Sequence, residues 1–126
     1  MHRAAHMQDF MDAACLAVGV SLFTAMNRSP ITRSLSRKPV AVSARRLAIY
    51  LARKHGGETF SFPHIAEYFG CKSHSSILEM HDYALGMLHK NHWHYVVRGE
   101  SLAAEDFYVT IAVAEQILRE MAKRAA

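Results

Sequence analysis

A chain of 126 residues, 51% hydrophobic and 21% charged, has the balance of a globular protein and enough length for one packed core, which excludes a disordered tail or a chain of several domains. Its two cysteines, Cys15 and Cys71, supply neither a disulfide framework nor paired zinc ligands, so a reduced, cytosolic setting is expected. The net charge is only +4, but it is unevenly placed.

Residues 6–19 carry Phe10, Ala13, Ala14, Leu16, Ala17 and Val18 with acidic residues between them, a pattern that predicts a helix ending at Gly19. The apolar run 13–26 invites comparison with a signal peptide. Asp9 and Asp12 stand where such a peptide carries positive charge, and the run is shorter than the roughly 20 residues that span a bilayer. It reads as a buried helix and the turn after it, with no export or membrane segment. Ser21 is placed to cap a short second helix through Met26. Residues 27–42 hold Pro30, Pro39, several serines and many of the arginines, and read as a loop or arm.

Ser43 is then the expected cap of a strong helix bearing Leu47, Ile49, Tyr50 and Leu51 and closing at Gly56-Gly57. Ser61 caps a short helix with Pro63 in its first turn, where a missing N–H costs little, and Gly70 ends it. Ser73 is expected to cap the next helix, which runs to Lys90. Residues 91–101 look irregular, with Tyr95-Val96-Val97 as a short extended piece. The last helix, 103–123, is amphipathic over Phe107, Ile111, Val113, Ala114, Ile117, Leu118 and Met121. The predicted architecture is all-α: one compact helical bundle over residues 1–126.

Between Arg28 and Lys54 lie eight basic residues (Arg28, Arg33, Arg37, Lys38, Arg45, Arg46, Arg53, Lys54) and no acidic one, leaving seven basic against eleven acidic residues elsewhere. A basic block on an acidic body points to a polyanionic partner, while the bland reading is a solvated basic loop. The helices over 61–69 and 73–90 meet at the tight Gly70-Cys71-Lys72 turn, a helix-turn-helix spacing. In that motif the second helix lies in the major groove and its first side chains meet base edges. Here those side chains are Lys72, Ser73, His74, Ser75 and Ser76: small hydroxyls, an imidazole and a cation, suited to hydrogen-bonding bases and phosphates.

Three separated stretches then fall in one order: Ala44-Arg45-Arg46-Leu47-Ala48-Ile49-Tyr50-Leu51-Ala52-Arg53, Ser61-Phe62-Pro63-His64-Ile65-Ala66-Glu67-Tyr68-Phe69-Gly70, and Lys72-Ser73-His74-Ser75-Ser76-Ile77-Leu78. Together they resemble the C-terminal DNA-binding domain of the bacterial DnaA replication initiators, a Trp-repressor-like helix-turn-helix fold. The resemblance extends over about residues 6–90 and more loosely over the final helix. It places the motif at about 61–90 and a basic arm at about 28–42. It implies base contacts from Ser73, His74 and Ser75 in the major groove and from Arg37 in the adjacent minor groove. It implies phosphate-side contacts from Arg45, Arg53, Lys72 and Ser76, with the backbone of Phe62 and Pro63 approaching the strand. Its implied partner is double-stranded DNA, with DnaA-box-like sites as the family's targets, in replication initiation or its control.

The chain departs from the family pattern at several points. Ser73 stands where the family has Asp, so acceptance of a cytosine amino group is weakened; Ser75 and Ser76 lack the threonine methyl; Cys71 stands at a glycine position. The turn before Phe60 and the loop before Arg37 look longer. The chain also contains no G-x-x-x-x-G-K-[ST] phosphate loop, so it is not expected to assemble an ATP-dependent origin-melting filament by itself, and is either a stand-alone binder, which Met1 fits, or a piece of a longer chain.

Rival readings rest on fewer residues. His74 among serines has no carboxylate nearby to orient it for nucleophilic catalysis, so no enzyme is expected. His89, His92 and His94 around Trp93 lack a Cys or carboxylate to complete a metal spacing and read as a surface turn; no metal or other cofactor is expected. An interaction module is the remaining class, with helix 6–19 or the outer side of 103–123 as a face for a homodimer or a replication-protein partner. A DNA-bound transcriptional regulator is the alternative use. The expected location is the cytoplasm, at the nucleoid, and not a membrane.

Overall fold

In the structure, a computed structural model, residues 6–71, 73–90, 95–97, 100–102 and 104–125 are described. Helices α1 (Met7–Val18), α2 (Leu22–Met26), α3 (Pro39–His55), α4 (Phe62–Tyr68), α5 (Ser75–Lys90) and α6 (Ala104–Ala125) follow one another, with a 3-10 turn at Gly57–Thr59 and two short strands between α5 and α6. The bundle is helical, as its hydrophobic periodicity predicts.

The ends of the first helices follow from single residues. At the start of α1 the His6 N–H donates to Asp9 Oδ2 at 3.1 Å, which satisfies an otherwise orphaned donor. At its end Gly19 takes the left-handed conformation (φ 82°) and its N–H returns to the Cys15 carbonyl at 2.9 Å. Ser21 caps α2, its hydroxyl accepting from the Thr24 N–H at 3.1 Å.

The expected loop over 27–42 is corrected in two ways. Residues 27–36 form a hairpin, with Arg28 bridging Leu35, Ser36 N–H donating to Asn27 O at 2.8 Å and Ser29 N–H to Ser34 O at 2.9 Å. The following helix begins at Pro39 rather than at Ser43. Proline at the first helical position forfeits no hydrogen bond and has its φ already set, and the Val42 N–H closes on the Lys38 carbonyl at 3.0 Å. Ser43 is thus a buried residue of α3, not its cap. The extended tripeptide Tyr95–Val97 is a strand, β1, pairing antiparallel with β2 (Glu100–Leu102), Tyr95 opposite Leu102. The second strand was not foreseen, because three residues are too few to display an alternation.

α3 is the central helix, with α1, α2 and α5 packed around it, and α6 lies against α1 and α5. One continuous core draws on all six helices, with Phe10, Met11, Val18, Leu47, Ile49, Leu51, Ile65, Phe69, Ile77 and Phe107 fully enclosed. Phe60, from the segment between α3 and α4, stands edge-on to Phe10 at 5.2 Å between centroids. That contact fixes the approach of the chain to α4.

Candidate nucleic-acid interface

The two helices at issue are α4 and α5. Ser61 caps α4, accepting from the His64 N–H at 3.3 Å, and Ile65, Ala66 and Phe69 bury its inner side. After Phe69 the chain turns through Gly70 (φ 69°), and the Cys71 N–H returns to the Ala66 carbonyl at 2.9 Å. This left-handed turn is the pivot that sets the second helix across the first.

The start of α5 is displayed to solvent. Ser73, His74, Ser75 and Ser76 are all exposed, whereas Ile77 behind them is buried and anchors the helix. The His74 carbonyl accepts the first helical bond, from the Leu78 N–H at 2.9 Å. Ser73 Oγ accepts from the Ser75 N–H at 3.1 Å and lies 2.6 Å from Ser75 Oγ. Ser76 Oγ donates to Cys71 Sγ at 3.7 Å. The Ser73 and Ser75 hydroxyls are therefore oriented by one another and that of Ser76 by Cys71, while His74 is exposed between them. Lys72, expected at this edge, lies outside the described residues, as do His92, Trp93 and His94 and the side chain of His89.

Arg53, Phe62 and His81 form one junction between α3, α4 and α5. The Arg53 guanidinium lies over the Phe62 ring at 4.5 Å and its Nη1 donates to the Phe60 carbonyl at 3.0 Å; the His81 ring packs edge-on to Phe62 at 5.3 Å. Burial first, and the nearby Arg53 charge second, hold the His81 imidazole below the ordinary histidine value. Phe62 is half-buried in this stack and Pro63 is exposed beside it. The partners of Arg53 in this structure are the Phe60 carbonyl and the Phe62 ring, within the fold. Nothing in the sequence spacing pointed to His81 as the third member.

Arg45 needs correction. Expected to face phosphate, it is only 5% exposed. Its Nη1 donates to the Ala25 carbonyl at 2.7 Å and its Nη2 to the Ser36 carbonyl at 2.5 Å. Burial, with Arg46 and Arg28 nearby, holds its pKa below the ordinary arginine value. Arg45 ties α2 and the end of the hairpin to α3. A periodicity argument sees the cation but not the two carbonyls that draw it inward.

Arg37 and Lys38, by contrast, are exposed, and their side chains make no hydrogen bond or ion pair among the described residues, although the Lys38 N–H donates to Ser36 Oγ at 3.3 Å. They sit between the Ser36 carbonyl held by Arg45 and the first turn of α3. The hairpin before them is tied to the helix-turn-helix itself: Arg28 Nη1 donates to the Arg33 carbonyl at 2.7 Å and its Nη2 to the Phe69 carbonyl. A cation on the last carbonyls of α4 also complements the helix dipole. Sequence reasoning did not single out Arg28 from its basic neighbours.

A short helix, a left-handed turn, a second helix presenting polar side chains from its first turn, and a basic arm fastened to that turn define a helix-turn-helix DNA-binding unit. The family model of the bacterial DnaA protein helix-turn-helix matches residues 25–82. That segment, from the end of α2 into α5, is similar to the DnaA helix-turn-helix. The match leaves α1 and α6 outside it, so it is narrower than the resemblance read over residues 6–90. No curated protein and no solved structure matches the chain. No helix among the described residues is long and apolar enough to cross a membrane.

Proposed function

We propose that the protein binds double-stranded DNA with sequence preference, as one DNA-binding domain, and acts in replication initiation or its control. The observation that carries this reading is the exposed start of α5, Ser73 to Ser76, standing on a buried Ile77 within a DnaA-type helix-turn-helix. In the major groove His74 donates or accepts at a guanine edge and the neighbouring hydroxyls adapt to either partner. Arg37 enters the adjacent minor groove. Ser76, Lys72, Arg53 and the backbone at Phe62 and Pro63 line the phosphate side. Phosphate contacts supply most of the affinity, and base contacts the choice of site. Arg45 has no part in this, being held inside.

No catalysis enters the reading, and the Ser73 hydroxyl pairs with that of Ser75. The protein would reside in the cytoplasm at the nucleoid, and a DnaA-box-like element is the first candidate site. The test is selection of bound duplexes from a random pool. Enrichment of one motif supports the proposal, and recovery of an unbiased pool refutes sequence preference.

A second reading has its own observation. Tyr108, Val109 and Val113 form an exposed apolar stripe on α6, a face on which a second copy would make the protein a paired-half-site transcriptional regulator. Light scattering with and without the selected duplex separates one chain per site from two.

A further inference from the structure

The hairpin over residues 27–36 is more ordered than an arm needs to be if it carries only charge. Its tip is Pro30 to Arg33. Ser29 Oγ accepts from the N–H groups of Ile31 at 3.2 Å and Thr32 at 3.3 Å, and the Arg33 N–H donates to the Ser29 carbonyl at 2.9 Å. Arg33 takes φ 60°, a left-handed conformation that a non-glycine residue adopts at a cost. Ile31 at this tip is 90% exposed, more than any other large hydrophobic residue described. Pro30, Thr32 and Arg33 are exposed beside it.

The tip also has a set position. One guanidinium, that of Arg28, holds the Arg33 carbonyl and the Phe69 carbonyl together. The strained end of the hairpin therefore stands next to the turn that launches α5. Arg33 is an exposed cation at the tip itself, the exposed Arg37 and Lys38 follow the hairpin in sequence, and no carboxylate occurs in sequence from Arg28 to Gly57. An apolar point on a segment that carries cations and no carboxylate fits a polyanion whose apolar interior is reached through a narrow opening. The minor groove of duplex DNA is such a surface, and isoleucine and proline are among the residues that pry apart base steps there.

We propose that the hairpin tip is a minor-groove wedge: Ile31, backed by Pro30, enters a base step beside the α5 site, unstacks it partly and bends the duplex, while Arg33 lies along the groove. This rests on the DNA-binding reading and adds a deformation to it. Arg28 is the positioning residue, acting through the Arg33 and Phe69 carbonyls.

The experiment uses a duplex that the wild-type protein selects from a random pool, carrying a fluorescent adenine analogue at successive flanking steps and a dye pair at its ends. Wild-type binding should brighten the analogue at one step and bring the dyes closer. Ile31→Ser should abolish both signals, weaken binding about tenfold, and leave major-groove protection by α5 in place. Ile31→Met, apolar and of similar bulk, should restore them. A bound duplex that stays straight and stacked with the wild-type protein overturns the wedge while leaving DNA binding intact, and so does an Ile31→Ser variant that bends DNA normally; Ile31 then belongs to a protein contact. Failure to select any duplex overturns the binding reading itself, and the wedge with it.

Discussion

At the scale of single residues, two side chains that looked alike in the sequence part company. His74 is exposed at the start of α5, where its carbonyl accepts the first helical bond. His74→Ala should cost about 1–3 kcal/mol at a preferred duplex, with little loss on unrelated sequence, as competition binding between the two would show. Equal loss on both would remove it from base reading. Arg45 is the opposite case. Its substitution should not act through DNA at all: Arg45→Met leaves the Ala25 and Ser36 carbonyls without their charged donor and should lower folding stability by about 2–3 kcal/mol in a denaturant titration. The basic block could be read from the sequence, because charge is additive along a chain. Which cation turns inward could not, since that depends on carbonyls brought back by α2 and by the hairpin, 20 and 9 residues away from Arg45.

At the scale of elements, the helices were legible wherever a cap and a periodic apolar face coincided, as at Ser21, Ser61 and Gly19. The hairpin was not, because its closure uses hydroxyl and carbonyl contacts within ten residues and no alternating apolar pattern. Gly56-Gly57 shows how one sequence signal hides two physical demands. Gly57 has φ +66° with open space where a Cβ would go, whereas Gly56 has ordinary φ but a Cβ would lie 2.1 Å from Phe60 Cδ2 and 2.6 Å from the Ala52 carbonyl. Gly57→Ala should therefore cost about 1–2 kcal/mol through backbone conformation alone. Gly56→Ala should cost about 1–3 kcal/mol by pushing Phe60 off Phe10. Thermal melts of the two variants, each combined with Phe60→Leu, separate the causes: the smaller side chain should relieve the part of the Gly56 penalty that falls on Phe60, leave the part that falls on the Ala52 carbonyl, and leave the Gly57 penalty unchanged.

At the scale of the whole molecule, charge is divided between two regions with different work. On the arm, the Arg37 and Lys38 side chains are exposed, so replacing both by glutamine should reduce the slope of log affinity against log salt by about two units, with no change in melting temperature. At the far end of α3, Lys54 Nζ and His55 Nε2 converge on Glu115 Oε2 at 2.9 and 2.5 Å, clipping that helix to α6. Burial pushes the Glu115 carboxyl up, but hydrogen bonds from Lys54 and His55 outweigh it and hold the group below the ordinary glutamate value. Its hydrogen bond to Glu115 holds the Lys54 ammonium above its own ordinary value, against a smaller opposing effect of burial. A depressed carboxyl stabilises the fold above the unfolded value, and that contribution is lost as pH falls through the folded value; a raised ammonium contributes below the ordinary lysine value and is lost as pH rises through the folded one. The clip is thus complete across neutral pH and opens at both extremes. Because Lys54 is half in solvent, Glu115→Gln should cost only about 0.5 kcal/mol at neutral pH. The difference from the wild-type protein should vanish as the Glu115 carboxyl protonates, which paired melting curves over an acid series would show, and a gap that persisted unchanged into acid would mean that Glu115 acts through packing and not through its charge.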